Sequence, residues 1–375
     1  MRVALVHDYL TQHGGAERVL EALHALYPAA PVFTSVFDPA ALPAAYAAWD
    51  VRTGLLARLP GATRAHRGLL PLYPATFRAF GRALRGFDVV LSDSSAWAHH
   101  APAPAGAVHV CYCHTPARFL YGDAAYLGPA RIPPPLRPAA RLTFARLRRQ
   151  DRRAAARVDR YLANSHAVAD RIARAYGRAA TVVYPPVDLD RFAAPVATSR
   201  SPEDWCLVVS RLVPHKRVDL AVAAFTQLGL PLRVIGAGRA EARLRAMAGP
   251  TVSFLGRLDD DATADHLARC RALVLPAAED FGITAVEAQA AGRPVVAFAA
   301  GGALETVIPG ETGLFFTEPT AAALAAAVEA LARAPWDPAR ARANAARFRA
   351  DRFQAAIAAQ VAAAVAAGPS ASGHG

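Results

Sequence analysis

Several residue types are scarce in this chain, and each scarcity excludes a class of protein. The 375 residues include four cysteines, Cys111, Cys113, Cys206 and Cys270, which are too few and too scattered for the disulfide framework of a small secreted domain. We therefore expect a reducing cytoplasm, in which the four thiols behave as small core residues.

Long apolar runs are scarce as well. The run at residues 355–367 is mostly alanine and includes a glutamine, so it falls short of the roughly 20 apolar residues of a membrane-spanning helix. A strand-like segment begins at residue 3 and leaves no room before it for the apolar segment of a signal peptide. We expect a cytoplasmic protein without a transmembrane anchor.

Lysine is the scarcest basic residue, because Lys216 is the one lysine in a chain with a formal net charge of +12. A charge of this size is typical of proteins with polyanionic partners, such as nucleic acid, anionic membranes or phosphorylated ligands. Arginine supplies every other basic residue and alanine is abundant throughout, so the charge also reflects a biased composition. By itself it identifies no partner.

Short β-rich runs alternate with longer helical patterns, as in βαβ units, and the alternation occurs twice. Strand-like runs lie at residues 3–7, 31–36, 88–91, 107–113, 161–163 and 181–184, and then at 205–209, 232–235, 252–255, 272–275 and 294–298. The fold class is therefore α/β, with two doubly wound, Rossmann-like parallel-sheet domains. We expect them to face a central cleft at the carboxyl ends of their strands.

Domain bounds follow from a proline- and serine-containing stretch at residues 195–202, where a regular element is hard to sustain. We predict an N-terminal domain at 1–190, a linker at 191–202 and a C-terminal domain at 203–336. Helices at 337–367 are expected to pack back toward the N-terminal domain, and residues 368–375 form a disordered tail.

Arg211 and Lys216 lie on one predicted strand-to-helix loop, between the strand at 205–209 and a helix at 218–228. Fixed cations beside helix-terminal amides stabilise a departing diphosphate. A planar arginine holds two phosphate oxygens side by side and lysine adds a compact charge. The alternative is two ordinary solvated cations, but a chain that uses arginine everywhere else places its one lysine here.

Glu279 and Glu287 are eight residues apart at the end of the strand at 272–275. Glu279 lies in the predicted loop and Glu287 about one turn into the following helix, so both carboxylates can face one ligand. The amides at the helix start are suited to an anion. The alternatives are a solvated loop residue and a carboxylate that interacts favourably with a helix start.

Arg211, Lys216 and the Glu279-x7-Glu287 spacing resemble glycosyltransferase family 4, a retaining group with the GT-B fold. The resemblance implies that Arg211 and Lys216 hold a donor diphosphate, that Glu287 holds the nucleotide ribose and that Glu279 contacts the transferred sugar. It also implies donor contacts from the intervening Phe281, Gly282 and Ile283, and no metal or other cofactor.

Two features of the N-terminal half fit the same resemblance. Gly15 lies in a Gly-Gly pair where a loop enters a helix, and the family has such a pair at a donor phosphate. His114 follows the strand at 107–113 and is similar to the family's active-site histidine. The alternatives for His114 are a core histidine and a metal ligand with Cys111 and Cys113, but those cysteines share the opposite strand face and no second ligand pair is nearby.

Residues 88–100 and 109–121 resemble a subgroup, the bacterial O-antigen and exopolysaccharide mannosyltransferases. A Gly236-Ala237-Gly238 sequence after the strand at 232–235 imitates a dinucleotide-binding fingerprint, but Glu241 occupies the third glycine position and the motif fails.

Arginine is concentrated in two stretches, with seven arginines and no acid at residues 51–87 and eight arginines with one aspartate at 131–153. Arginine-rich amphipathic stretches dock on anionic lipid, and the alternative is a solvated helix face enriched by the compositional bias. A membrane surface is therefore among the expected partners, on the inner face of the cell membrane.

The leading hypothesis is a metal-independent, retaining transfer of a hexose, with mannose favoured, from a nucleoside-diphosphate sugar. The acceptor is a glycan or a lipid-linked sugar in cell-envelope polysaccharide synthesis. The alternatives are a GT-B sugar-nucleotide epimerase and a non-enzymatic, basic nucleic-acid-binding protein; the leading hypothesis has no nucleic-acid partner. A nicotinamide-dependent oxidoreductase is disfavoured by the failed glycine fingerprint.

Overall fold

The chain forms two compact units. A computed structural model describes residues 1–65, 68–122, 133–192 and 202–369. The first unit comprises Met1–Pro186 and the chain from Phe353 onward, and the second comprises Val187–Arg352. Most of the predicted linker at 191–202 and of the predicted tail at 368–375 lies outside the described residues.

The first unit is built on a seven-stranded, wholly parallel sheet with the strand order β3-β2-β1-β4-β5-β6-β7. Its strands are β1 (Val3–His7), β2 (Val32–Thr34), β3 (Val51–Thr53), β4 (Val89–Ser94), β5 (Val108–Cys113), β6 (Arg160–Ala163) and β7 (Ala180–Val182). Apolar residues occupy both faces of the central strands, as expected for a parallel sheet covered on each side.

Helices cover both faces of this sheet. They are α1 (Gly15–Leu26), α2 (Ala62–Ala65), α3 (Tyr73–Arg78), α4 (Arg118–Tyr121), α5 (Arg137–Ala155), α6 (His166–Tyr176) and the greater part of the last helix of the chain. One core joins Leu5 and Leu20 to Ile357 of that last helix, and the other joins Phe77 and Trp97 to the opposite sheet face.

The second unit repeats the plan with six parallel strands in the order β10-β9-β8-β11-β12-β13. They are β8 (Cys206–Val209), β9 (Leu232–Ile235), β10 (Val252–Gly256), β11 (Ala272–Leu275), β12 (Val295–Phe298) and β13 (Gly313–Phe316). The helices are α7 (Val218–Leu228), α8 (Glu241–Met247), α9 (Asp260–Arg269), α10 (Ile283–Ala290), α11 (Ala303–Thr306), α12 (Ala321–Arg333), α13 (Pro338–Ala345) and the first residues of α14 (Ala350–Ala367).

The predicted fold class is confirmed, and most predicted strands are found within two or three residues of their expected bounds. The short strand β3 was not predicted, because Val51–Thr53 is an edge strand with exposed residues and no buried run. The four cysteines are buried and free, as expected of core residues. Within the described part of the chain, no helix is both long enough and apolar enough to cross a membrane.

Candidate functional site

Each sheet reverses its strand order at one point, between β1 and β4 in the first unit and between β8 and β11 in the second. Ligands of open α/β sheets bind beyond the carboxyl ends of the strands at such a reversal point. His7 and Asp93 are paired positions near the carboxyl ends of β1 and β4, and the segments that carry Arg211 and Glu279 follow β8 and β11. The sequence therefore places ionisable residues at both reversal points.

In the first unit, one buried carboxylate joins two histidines. Asp93 Oδ2 accepts a hydrogen bond from His7 Nδ1 at 2.8 Å, and Asp93 Oδ1 accepts one from His114 Nε2 at 2.6 Å. The other ring nitrogen of His7 lies 3.7 Å from a carboxylate oxygen of Glu17. His7, Asp93 and Glu17 are buried, whereas the His114 side chain keeps 13% of its surface exposed. His114 is thus the member that a ligand can reach.

The buried charges of this cluster shift one another. Burial alone would lower the pKa of His7, but its hydrogen bonds and attraction to Asp93 and Glu17 outweigh burial and raise that pKa to about 10. For His114 burial again acts downward, and the Asp93 carboxylate outweighs it, so the pKa of His114 lies above its ordinary value. Burial would raise the pKa of Asp93, but the two histidines hold it below the ordinary range. The arrangement favours a cationic His114 at neutral pH.

The loop beyond β1 is fixed by a second aspartate. Asp8 Oδ1 accepts hydrogen bonds from the backbone amides of Trp97 and Ala98 at 2.7 and 2.6 Å, and Asp8 Oδ2 accepts one from Ser95 at 2.7 Å. Three amide donors to one buried carboxylate fix the segment after β4 against the segment after β1. Gly15 is the first residue of α1, where the sequence places a phosphate contact, and that role stays a prediction.

His99 and His100 converge on Asp151. Their Nε2 atoms lie 3.0 and 2.9 Å from the same oxygen of Asp151, and His99 Nδ1 is 3.1 Å from the hydroxyl of Ser94. Imidazole and carboxylate are zinc ligands, so among the described residues this trio could hold a metal. Burial lowers the pKa of His100 to about 4, whereas attraction to Asp151 outweighs burial and raises that of His99. Both imidazoles already contact the Asp151 carboxylate, which fits a structural role.

In the second unit, Lys216 forms an ion pair with Glu279. The ammonium of Lys216 donates a hydrogen bond to Glu279 Oε2, and both side chains are partly exposed, by 19% and 14%. Arg211 lies on the same loop as Lys216 and is exposed. Within the described residues the Arg211 guanidinium has no ion pair, so it is available to an anion. The structure thus brings together Lys216, which is expected to hold the donor diphosphate, and Glu279, which is expected to contact the transferred sugar.

The glycines of the failed fingerprint support this loop. A Cβ on Gly236 would overlap the carbonyl of Ser210, and a Cβ on Gly238 would overlap the carbonyl of Leu212. The Leu212 amide donates to Ala237 O at 3.0 Å, and the Ala240 amide donates to Leu212 O at 2.9 Å. The Gly-Ala-Gly sequence therefore lets β9 pack directly against the segment that carries Arg211.

A second glycine pair supports the loop that carries Glu279. Gly302 donates its backbone N–H to Glu279 O at 2.9 Å, and a Cβ on Gly301 would overlap that same carbonyl. Gly282 has φ of 90°, a left-handed conformation that favours glycine, and it directly precedes α10. Phe281 is buried against Phe348, so its role is to anchor the loop, whereas any donor contact from it stays a prediction.

Glu287 lies in α10 and is nearly buried. Its Oε1 accepts a hydrogen bond from Arg191 Nη2 at 2.7 Å, and Arg191 Nη1 lies 3.3 Å from Asp260 Oδ2. The predicted ribose ligand is thus fixed by a cation from the first residues of the second unit.

Sequence reasoning placed His114, Lys216 and Glu279 at strand ends, and the structure places them there. It missed Asp93, which holds His114, as well as His7, which holds Asp93, and Arg191, which holds Glu287. A signal existed for Asp93, because it lies near the end of a predicted strand beside the first one. None existed for Arg191, which is 96 residues from Glu287.

Comparisons with known proteins agree with this geometry. Residues 13–191 match the sequence model described as Glycosyltransferase Family 4, and residues 193–348 match the model described as Glycosyl transferases group 1. Together the two models account for both units.

Curated relatives match part of the chain. A GDP-mannose-dependent monoacylated alpha-(1-6)-phosphatidylinositol monomannoside mannosyltransferase of Corynebacterium glutamicum is 40% identical over 121 residues, 28% of this chain and 32% of that protein. A D-inositol 3-phosphate glycosyltransferase of Streptomyces avermitilis is 32% identical over 265 residues, 58% of this chain and 56% of that protein. The chain thus aligns with about a third to a half of the length of these relatives.

Solved structures resemble the chain along nearly its whole length. HepE of Anabaena, crystallised in complex with UDP, has a TM-score of 0.70 at 20% identity, covering 97% of this chain and 100% of that one. Sucrose-phosphate synthase of Thermosynechococcus elongatus has a TM-score of 0.72 at 20% identity, covering 98% and 100%. At this identity the likeness shows the fold, which is GT-B. The chain therefore belongs to the glycosyltransferases, its first half to family 4 and its second half to group 1.

Proposed function

We propose that the protein is a retaining glycosyltransferase that moves a hexose, with mannose favoured, from a nucleoside-diphosphate sugar to a glycan or lipid-linked acceptor in cell-envelope polysaccharide synthesis. The observation that carries the proposal is the ion pair of Lys216 with Glu279 at the β8–β11 reversal point, beside the exposed Arg211. A cation for phosphate and a carboxylate for sugar hydroxyls are both required by a sugar diphosphate.

The donor diphosphate is assigned to Arg211 and Lys216. Negative charge grows on the leaving phosphate as its bond to the anomeric carbon breaks, and preorganised cations stabilise that charge. Before the donor binds, Glu279 neutralises Lys216; on binding, the phosphate takes over the ammonium and the carboxylate turns to the sugar. Glu287 is assigned to the ribose hydroxyls, and the amides of Gly282 and Ile283 at the start of α10 to the donor's anionic groups.

Retention of configuration is assigned to a front-face displacement. The acceptor oxygen forms its bond to the anomeric carbon on the side from which the diphosphate departs, and the acceptor proton passes to a diphosphate oxygen. This route needs no separate protein base. His114, which Asp93 orients and whose pKa is raised above its ordinary value by that carboxylate, is assigned to the transferred sugar near this reaction centre.

The choice of mannose rests on the relatives. Two of those relatives are GDP-mannose-dependent phosphatidylinositol monomannoside mannosyltransferases, from Corynebacterium glutamicum and Mycobacterium tuberculosis. A lipid-linked acceptor at a cell membrane is the corresponding proposal for this chain, with no nucleic acid as partner.

Calorimetric titration of GDP, UDP and their sugars tests the diphosphate assignment. A hydrogen bond between charged groups contributes about 1.5–3 kcal/mol, so Lys216→Ala is expected to weaken nucleotide binding about 10–100-fold. Arg245→Ala removes an exposed cation of the same unit that pairs with Glu241, and serves as the matched control. Unchanged affinity of Lys216→Ala for every nucleotide would overturn the assignment.

Product analysis separates transfer from epimerisation. With GDP-mannose and a lipid-linked acceptor, nuclear magnetic resonance of the product is expected to show an α linkage, which retains the donor configuration. Release of free or epimerised sugar at the same rate with and without acceptor would favour the epimerase instead.

A basic face of α5 supports a membrane contact for the first unit. Arg148, Arg149, Arg152 and Arg153 line an open groove of about 600 Å³, and Leu142 earlier in the helix is 72% exposed. Arginine beside exposed leucine is suited to anionic lipid headgroups. Cosedimentation with phosphatidylglycerol vesicles should fall for Leu142→Ser and not for Leu304→Ser, an exposed leucine of the second unit. Equal binding to phosphatidylcholine vesicles would contradict this contact.

A further inference from the structure

We propose that Arg191 is a positioning residue for donor recognition, which sets the orientation of the Glu287 carboxylate toward the ribose of a nucleoside diphosphate. This inference rests on the proposed function, because it assumes that Glu287 receives the ribose. It concerns a residue outside the Arg-Lys and Glu-x7-Glu patterns, in the first few residues of the second unit.

Arg191 is held on several sides. Its backbone N–H donates to Asp188 Oδ1 at 3.3 Å, and its guanidinium lies 5.1 Å from the centre of the Phe192 ring, which is buried. Two guanidinium nitrogens reach Glu287 at 2.7 Å and Asp260 at 3.3 Å. Both the backbone and the guanidinium of Arg191 are therefore held in place, which restricts the direction from which Arg191 meets a carboxylate.

Glu287 depends on that cation. Its side chain is 5% exposed, whereas that of Asp260 is 51% exposed, so the two arms of Arg191 meet very different surroundings. A buried carboxylate requires an opposite charge or several donors, while an exposed one is solvated by water. The ion pair with Glu287 should therefore be the stronger interaction, and the ion pair with Asp260 mainly holds the guanidinium in position.

The geometry suits ribose recognition. Arg191 donates to Oε1 of Glu287 and thereby restrains the carboxylate on that side. The two neighbouring hydroxyls of a ribose donate hydrogen bonds side by side, so they need a carboxylate that is held in one orientation. A site built for such a hydroxyl strongly rejects an analogue that lacks it. Loss of Arg191 would remove the cation that restrains this carboxylate at Oε1, so the discrimination between ribose and deoxyribose is the property that should change.

The test compares GDP and UDP with their 2′-deoxy and 3′-deoxy forms by calorimetry, for the wild type, Glu287→Gln, Arg191→Ala, Arg191→Lys and Asp260→Asn. The wild type should prefer the ribonucleotide about 10–100-fold. That preference should fall to about one in Glu287→Gln and Arg191→Ala. Asp260→Asn, which removes the exposed arm alone, should keep it. A thermal melt checks that each variant is folded. If Arg191→Ala does not fold, Arg191→Lys takes its place in the comparison.

The outcomes separate the two proposals. If Glu287→Gln loses the preference and a folded Arg191 variant keeps it, with all nucleotides weakened equally, Arg191 is merely structural and this inference is wrong while the proposed function stands. If Glu287→Gln keeps the preference, or no nucleotide binds the wild type, the assignment of Glu287 fails and this inference falls with it.

Discussion

The two units share a strand order and a reversal point, but they place charge there in different ways. At the β1–β4 reversal the first unit buries Asp93 between His7 and His114 and leaves only His114 partly exposed. At the β8–β11 reversal the second unit keeps Lys216 and Glu279 partly exposed and paired to each other. A similar backbone plan therefore supports one closed charge cluster and one open ion pair.

The difference indicates what each unit is suited to do. A buried cluster is preorganised and loses little energy by reorganisation, which suits orientation of a reacting group. An exposed ion pair exchanges its partner for a ligand at low energetic cost, which suits binding of a polyanion. The charged groups of the first unit are therefore held in place, whereas the ion pair of the second unit can exchange one partner for a ligand.

The most damaging substitution should be Asp93→Asn, which removes the shared charge of the first cluster. Breaking a buried ion pair from one side destabilises a protein by about 3–5 kcal/mol, so we expect a loss of this size in the free energy of unfolding. We also expect kcat to fall about 100-fold, as on loss of a preorganised hydrogen-bonding group, because His114 loses the carboxylate that orients it. Urea denaturation and initial rates measure the two effects.

Asp170→Asn is the matched control, because Asp170 is an exposed aspartate on α6 of the same unit. It should change neither quantity appreciably. If Asp93→Asn proves as mild as this control, the first reversal point is not a closed charge cluster and the contrast between the units disappears.

The next largest effect should come from Gly236→Ala in the second unit. Gly236 has φ of 134°, and a Cβ there would overlap the carbonyl of Ser210, next to Arg211. We expect a loss of about 2 kcal/mol in unfolding free energy from strain and overlap. Because the Arg211 loop must shift, GDP affinity should fall as well.

Gly256→Ala separates overlap from strain. Gly256 has φ of 72° with open space around the new methyl group, so only backbone strain of about 1 kcal/mol is expected. Calorimetry should show unchanged GDP binding for Gly256→Ala. Equal losses of binding in both variants would show that the Gly-Ala-Gly segment does not support the Arg211 loop.

The smallest effect is the pH dependence of stability in the first unit. The pKa of His7 is raised to about 10 from 6.5, so its contribution is full below pH 6.5 and is lost as the pH rises through about 10. Between pH 7 and pH 8 this single group should lower the unfolding free energy by about 1.2 kcal/mol.

His7→Gln should flatten that pH profile relative to the wild type, since glutamine has no proton to lose. Urea denaturation at the two pH values measures the slope for each protein. Parallel profiles would mean that His7 is not a buried cation, and that the first cluster carries less charge than its geometry indicates.

Much of the fold was predictable, because the pattern of β-rich and helical runs is local. Predicted strands at 232–235 and 272–275 match β9 and β11 at both ends. The helices predicted at 337–367 are α13 and α14, which a tighter turn at residues 346–348 separates. The edge strand β3 has no buried run and left no pattern to detect.

The candidate site was predictable only as single residues. His114 and Lys216 follow strands, and strand ends can be located from local sequence. Their partners depend on which distant segments the sheet brings together: His7 and Asp93 are 86 residues apart, and their pairing follows from β1 and β4 being neighbours. Gly236 was interpreted as part of a failed fingerprint, because its packing partner lies on another strand.

The helix α14 has a consequence for how the chain folds during its synthesis. Phe353, Ile357 and Val361 of this helix belong to the core around Leu5 and Leu20, so the first unit is discontinuous in sequence and the second is inserted into it. A growing chain can complete the second unit once residue 352 has left the ribosome. The apolar core of the first unit stays uncovered until α14 has been synthesised. The half of the protein made first is therefore the half completed last.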